Sequence, residues 1–90
     1  MIPRNIQELA RSFPALRGAP IEPFDAKALD AWAMSGVSDT EVWAVQFVLS
    51  VYSPRATWAC GHFDFMRAMK QWDDSNHQAF LTWAKDPWWP

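Results

Sequence analysis

Apolar side chains recur at helical spacing in two short segments before residue 37. Pro3 suits the first turn of a helix that would run up to Pro14. Asp25 can cap a second helix, which Gly36 would end. The apolar faces of these two helices carry Ile6, Leu9, Ala10 and Phe13 in the first, and Leu29, Trp32 and Ala33 in the second.

The clearest helix start in the chain lies at Ser38. Ser38 and Glu41, three residues later, form the pattern of a capping box. The helix that they open is expected to span residues 38–53, because Pro54 cannot continue it. Its polar residues fall on one thin stripe, made of Asp39, Gln46, Ser50 and Ser53. Since a helix that is apolar nearly all round is normally enclosed by others, this segment is predicted to be the central helix.

Two further helices are predicted in the C-terminal half. Asp64 can cap the first, whose apolar residues are Phe65, Met66, Met69 and Trp72, with the two methionines expected to fill the core. Ser75 and Gln78 repeat the capping-box pattern and open a last helix that ends near Lys85. The apolar face of this helix carries Phe80, Leu81, Trp83 and Ala84.

Alternating apolar and polar positions, which are typical of strands, are nearly absent. The pattern therefore predicts an all-α fold, a compact bundle of about five short helices in a single domain over residues 1–90. The expected connections are a Pro- and Gly-rich loop at about 14–24, a loop at 54–63 and a tail at 86–90. The tryptophans that are expected to build the core are Trp32, Trp43, Trp58, Trp72 and Trp83.

Charge and cysteine content narrow the class of protein. Eight basic and ten acidic side chains give a net charge of −2, so no strongly basic field marks a nucleic-acid binder. Cys60 is the one cysteine, which excludes an intrachain disulfide and fits a reducing compartment. No apolar run approaches the ~18 residues of a membrane helix, and no hydrophobic export segment opens the chain. We therefore expect a cytoplasmic protein with no membrane association.

The stretch Gly36-Val37-Ser38 is similar to the turn of helix-turn-helix DNA-binding proteins. That motif reads DNA through polar and basic side chains on its second helix, whereas residues 37–54 contain no Lys or Arg. We therefore reject DNA recognition by this motif, and nucleic acid is not the expected partner. A nucleic-acid-associated helical protein that uses the N-terminal arginines, Arg4, Arg11 and Arg17, is kept as an alternative.

Cys60, His62 and His77 are the candidate groups for metal or thiol chemistry. The set lacks a second cysteine pair and a histidine pair at i and i+4, and Asp64 is better explained as a helix cap. A nucleophilic thiol would also need an orienting group and an oxyanion site, and no phosphate-binding glycine motif is present. We expect no enzyme activity, no cofactor and no metal, with a small metal-binding protein on these three residues as a further alternative.

The chain ends in Lys85-Asp86-Pro87-Trp88-Trp89-Pro90. Pro87 ends the last helix and holds the following chain extended, which orients Trp88 and Trp89. One hypothesis is that both fold back as a plug, against Trp58 in the 54–63 loop. The other is that at least one lies on the surface and docks into a partner or a second copy of the chain.

These aromatic residues lead to the functional prediction. Trp and Arg are enriched at interface hot spots. We therefore predict a small, non-catalytic protein–protein interaction module, such as an accessory subunit, an adaptor or an inhibitor of a larger machine. Its partner is expected to be a protein, with homo-oligomerisation left open. The residues expected to bind the partner are Trp58, Trp88, Trp89, Arg11 and Arg17.

Overall fold

The computed structural model describes residues 5–90, which form five α-helices and one 3₁₀ turn. The helices are α1 (Ile6–Arg11), α2 (Ala26–Ala33), α3 (Asp39–Tyr52), α4 (Phe65–Gln71) and α5 (Asp74–Lys85), and the 3₁₀ turn is Pro14–Leu16. Across the same residues there is no β-strand, and one antiparallel bridge joins Ile21 to Phe24. The predicted all-α bundle is confirmed.

Helix α3 is the central element. Every residue from 43 to 49 is buried, as is Val51, and the helix packs against α1, α2, α4 and the 3₁₀ turn. The capping box at its start is present. The Ser38 hydroxyl accepts the Glu41 backbone N–H at 3.4 Å, and the Glu41 carboxylate accepts the Ser38 N–H at 3.1 Å. The predicted central helix at 38–53 is therefore confirmed.

Side-chain caps begin the other helices as well. The predicted caps Asp25 and Asp64 accept the backbone N–H groups three residues ahead, at 3.1 and 3.2 Å. Helix α1 is capped by Asn5, which accepts the Glu8 N–H at 2.8 Å. The predicted start at Pro3 lies outside the described residues. Caps of this kind satisfy N–H groups that have no partner within the helix.

The predicted capping box at Ser75 and Gln78 is wrong. Helix α5 begins at Asp74, and its cap is Asp73, which accepts the Asn76 N–H at 3.0 Å. Ser75 therefore lies inside the first turn, where it is exposed. A carboxylate is favoured at this place because it accepts the free N–H groups and also interacts with the positive end of the helix dipole.

The core is an aromatic cluster around Phe47 of α3. The ring of Phe47 lies 5.2–5.6 Å from those of Phe13, Phe63, Phe80 and Trp83. Of the tryptophans expected inside, Trp43 and Trp72 are buried, and the half-buried ones, packed against the core, are Trp32, Trp58 and Trp83. Several helices thus contribute rings to one cluster. The burial of these large rings stabilises the packing of helices that are individually short.

Two apolar residues of α4 are not in the core. Phe65 is 49% exposed and Met66 is 73% exposed, so the expectation that Met66 fills the core is wrong. Met69 is half-buried against the core, whereas Ala68 is fully buried. The helix therefore meets the bundle through the face of Ala68. The sequence of a seven-residue helix with four apolar side chains does not reveal this orientation.

Two buried amides tie the connecting segments to the helices. In α3, Gln46 donates to the Cys60 carbonyl at 2.6 Å and accepts the Asp64 N–H at 3.4 Å. In α5, Asn76 accepts the Ala15 N–H at 3.0 Å and so joins α5 to the 3₁₀ turn. Each buried amide is hydrogen-bonded, as burial of a polar group requires.

Part of the predicted 14–24 loop is ordered by local hydrogen bonds. The 3₁₀ turn occupies its start, and the bridge between Ile21 and Phe24 encloses the cis peptide bond from Glu22 to Pro23.

Within residues 5–90, no helix has the length and apolar character that crossing a membrane requires.

Candidate functional site

The C-terminal tail turns back onto the helix that precedes it. Helix α5 ends at Lys85, and beyond Pro87 the Trp88 side chain is only 8% exposed. The Trp83 indole N–H donates to the Trp88 carbonyl at 3.0 Å, which fixes the reversal of the chain. Trp88 therefore packs into the bundle.

Trp89 lies on the surface. Its side chain is 56% exposed, and its ring stands edge-on to Trp83 with centroids 5.4 Å apart and an angle of 85°. This T-shaped contact is a favourable arrangement for two aromatic rings. The tail thus divides its two tryptophans between the core and the surface.

A groove of about 450 Å³ lies between α1, α5 and the tail. Leu9, Ala79, Trp83 and Trp88 supply its apolar surface. The polar residues that line it are Glu8, Arg11, Ser12, Ser75, Gln78, Thr82 and Asp86. Both apolar and polar side chains therefore line the groove, and Trp89 contacts one of the lining residues, Trp83.

Arg11 is held between two carboxylates at the edge of this groove. The Arg11 Nη1 lies 2.7 Å from Glu8 Oε1, and its Nε lies 2.6 Å from Glu22 Oε1. All three side chains are partly exposed. A second groove of about 530 Å³ begins at Arg11 and Ser12 and follows the 14–22 segment, where Arg17 lines it. Of the predicted arginine surface, Arg11 and Arg17 share this second groove, and Arg4 lies outside the described residues.

The contacts of Trp58 differ from those of the two tryptophans in the tail. Its ring packs on Tyr52 with centroids 6.4 Å apart, and its indole N–H is buried without a hydrogen-bond partner among residues 5–90. Trp88 instead lines the groove between α1 and α5. The structure thus places Arg11 and Trp88 in one groove with Trp89 at its edge, and places Trp58 against α3.

The 54–63 loop is anchored by residues that the sequence reasoning did not single out. The Asp30 carboxylate accepts the N–H groups of Ala59 and Cys60, both at 2.9 Å, and Gln46 binds the Cys60 carbonyl. Burial raises the pKa of Asp30, but the two backbone hydrogen bonds, together with one from the Cys60 side chain, outweigh it and hold that pKa below its usual value. A lone glutamine in a long apolar run was the available signal for Gln46.

Cys60 is not placed as a reactive thiol. Burial, followed by the hydrogen bond and charge of Asp30, raises the pKa of Cys60 to about 12. The thiolate is the nucleophilic and metal-binding form, so the group is protonated at neutral pH. Among residues 5–90, no group of three or more His, Cys, Asp or Glu side chains lies close enough to hold a metal ion, and this includes Cys60, His62 and His77.

No family model, curated protein or solved structure matches this chain.

Proposed function

We propose that this protein is a small, non-catalytic interaction module that binds a segment of another protein in the groove between α1 and α5. One observation carries the proposal: Trp89 is 56% exposed and is held against Trp83, which lines an open groove. Tryptophan, together with tyrosine and arginine, is enriched at interface hot spots.

Pre-organisation favours Trp89 as the anchor of this interface. Binding costs less free energy when the side chain at the interface is already ordered in the unbound protein. The edge-on contact with Trp83 and the burial of Trp88 limit the freedom of the tail. Trp89 can therefore enter a pocket of the partner without first losing much conformational entropy.

The charge near the groove supports a protein partner over nucleic acid. Non-specific affinity for nucleic acid comes mainly from arginine and lysine side chains that face phosphates. Arg11 is already bridged to Glu8 and Glu22, so much of its charge is compensated. The single cysteine of the sequence fits our further proposal that the protein works in the cytoplasm.

The test is affinity capture from a lysate of the source cells with three full-length baits: wild type, Trp89→Ala and Phe65→Ala. Phe65 is a matched control, because it is also an aromatic residue and is 49% exposed on a different helix. Circular dichroism and thermal melting establish first that all three baits are folded.

The proposal expects a protein that is retained by wild type and Phe65→Ala and lost from Trp89→Ala. Retention should depend only modestly on salt. Equal capture by all three baits would contradict the proposed surface. A captured nucleic acid whose retention falls steeply with salt would favour the arginine-based alternative.

A further inference from the structure

We infer that a second copy of this chain packs against the exposed face of α4, so that the protein forms a dimer with twofold symmetry. The inference goes beyond the proposed function, since the residues that carry it do not line the groove between α1 and α5. It rests on two exposed apolar side chains, Phe65 and Met66, and on two charges of opposite sign near the end of the same helix, Lys70 and Asp74.

The apolar part of this face lies at the start of α4. Phe65 is 49% exposed and Met66 is 73% exposed, whereas Ala68 of the same helix is fully buried. The ring of Phe65 stands edge-on to those of Phe63 and Phe80, with centroids 6.4 and 5.8 Å away, which limits its freedom before association. An unbranched methionine can adapt its shape to the surface that it meets.

Lys70 and Asp74 add one charge of each sign. Lys70 lies one turn after Met66, so both side chains occupy the exposed side of α4. Asp74 is the first residue of α5, three positions after α4 ends, and it is also exposed. Neither side chain has an ion pair or a hydrogen bond within residues 5–90.

The other charged side chains next to this face already have partners. Asp73 caps α5 by accepting the Asn76 N–H, and Arg67 lies 3.5 Å from the Asp64 carboxylate. The charges that remain for an external contact are therefore one cation and one carboxylate, which balance each other.

Twofold symmetry makes such a surface complementary to itself. When one residue contacts a second residue on the other copy, the same contact recurs with the copies exchanged. Lys70 of each copy can therefore pair with Asp74 of the other, while Met66 packs against its own counterpart near the axis. Complementary charges of this kind fix the orientation of two surfaces, whereas a face of one sign would repel its own copy.

The exposed apolar area is small, so the dimer is expected to be weak. A standard stable interface buries about 800 Å² on each partner. Two apolar side chains cover only part of such an area, and the remainder of the contact is polar. Association is therefore expected at high protein concentration.

Sedimentation equilibrium of the full-length protein tests the dimer at concentrations from about 10 μM to about 1 mM. The expected result is a mass that rises with concentration from that of one chain towards that of two chains. A mass that stays at that of one chain throughout would overturn the inference and leave the proposed function standing.

Met66→Gln tests whether α4 supplies the contact. It should raise the Kd of the dimer about tenfold, because apolar surface is lost from both copies. Met34→Gln is the matched control, since Met34 is 61% exposed at the end of α2, and it should leave the Kd unchanged. Equal effects of the two variants would contradict the position of the interface. A dimer that is lost in Trp89→Ala and kept in Met66→Gln would move the contact to the tail and overturn the inference.

Charge exchange tests the reciprocal pairing. Lys70→Glu and Asp74→Lys each place like charges opposite one another at two symmetric positions, so each should raise the Kd about tenfold. A mixture of the two variants restores opposite charges at both positions and should associate about as well as wild type. Circular dichroism first establishes that each variant is folded, because Asp74→Lys also removes a favourable charge from the start of α5. A mixture that associates no better than either variant alone would contradict the pairing of Lys70 with Asp74.

Discussion

Trp88 and Trp89 are adjacent in the sequence and have opposite environments. Trp88 is 8% exposed, whereas Trp89 is 56% exposed. The Trp83 indole N–H donates to the Trp88 carbonyl and helps to hold the tail in this arrangement. One tail therefore both closes the bundle and presents an aromatic side chain at the groove.

A prediction at this scale concerns the reactivity of Cys60. Because burial and Asp30 raise its pKa to about 12, the folded protein should react with iodoacetamide at pH ~8 at least about tenfold more slowly than the same chain in urea. Asp30→Asn should react faster than wild type, since the variant lacks the carboxylate that disfavours the thiolate.

Mass spectrometry of the alkylated protein over time measures these rates. Asp39→Asn is the control, since its carboxylate lies at the start of α3 and has no hydrogen bond to Cys60 in the described structure. Equal rates for folded and unfolded wild type would contradict the stated environment of the thiol.

The helices begin where a short polar side chain can accept the first free N–H groups. At the start of α5 three such residues stand in a row, Asp73, Asp74 and Ser75. The capping-box pattern at Ser75 and Gln78 was a sound local signal, but Asp73 offers a cap two residues earlier. The earlier start also places Asn76 inside α5, where it reaches the 3₁₀ turn.

Alanine substitutions at the caps test these helix starts. Ser38→Ala should lower the free energy of unfolding by about 1 kcal/mol, and Asp73→Ala by a similar amount, because each leaves backbone N–H groups of the first turn unsatisfied. Ser75→Ala should change it by less than about 0.5 kcal/mol, as expected for an exposed residue within a helix. Urea unfolding followed by circular dichroism gives all three values.

If Ser75→Ala lowered the stability as much as Asp73→Ala, that result would contradict the assignment of Asp73 as the cap of α5.

At the scale of the whole molecule, one apolar helix organises several short ones. Helices α1, α2 and α4 and the 3₁₀ turn all pack on α3, and the aromatic rings of α5 meet it at Phe47. Short helices are marginal by themselves, so their stability depends on this packing. A destabilising substitution in α3 should therefore lower the stability of the whole fold.

Trp43→Ala tests that dependence. Trp43 is 7% exposed, and the loss of so large a buried side chain should cost about 3–5 kcal/mol, a large part of the stability of a small domain. Trp89→Ala is the matched control and should cost at most about 1.5 kcal/mol, because Trp89 is 56% exposed and loses mainly its edge-on contact with Trp83. Thermal melting and urea unfolding compare the two, and a cost for Trp43→Ala below about 1 kcal/mol would contradict the central position of α3.

The candidate site could be predicted only in part. The sequence singled out Trp88, Trp89 and Arg11, which the structure brings to one groove or its edge. It also placed Trp58 with them, whereas Trp58 packs on Tyr52. The groove itself forms between α1 and α5, and the bond from Ala15 to Asn76 joins segments 61 residues apart in sequence. No local pattern specifies which distant helices meet.

The sequence by itself determined the helical class, the central helix and most of the helix starts. These depend on residues three or four positions apart, since caps and helical periodicity act within one or two turns. Only the tertiary structure decided which apolar side chains are covered. Met66 and Trp89 are as apolar as their buried neighbours, but burial depends on whether another element packs over a position. That packing is a property of the whole chain, which is why the groove and its exposed tryptophan emerge only from the fold.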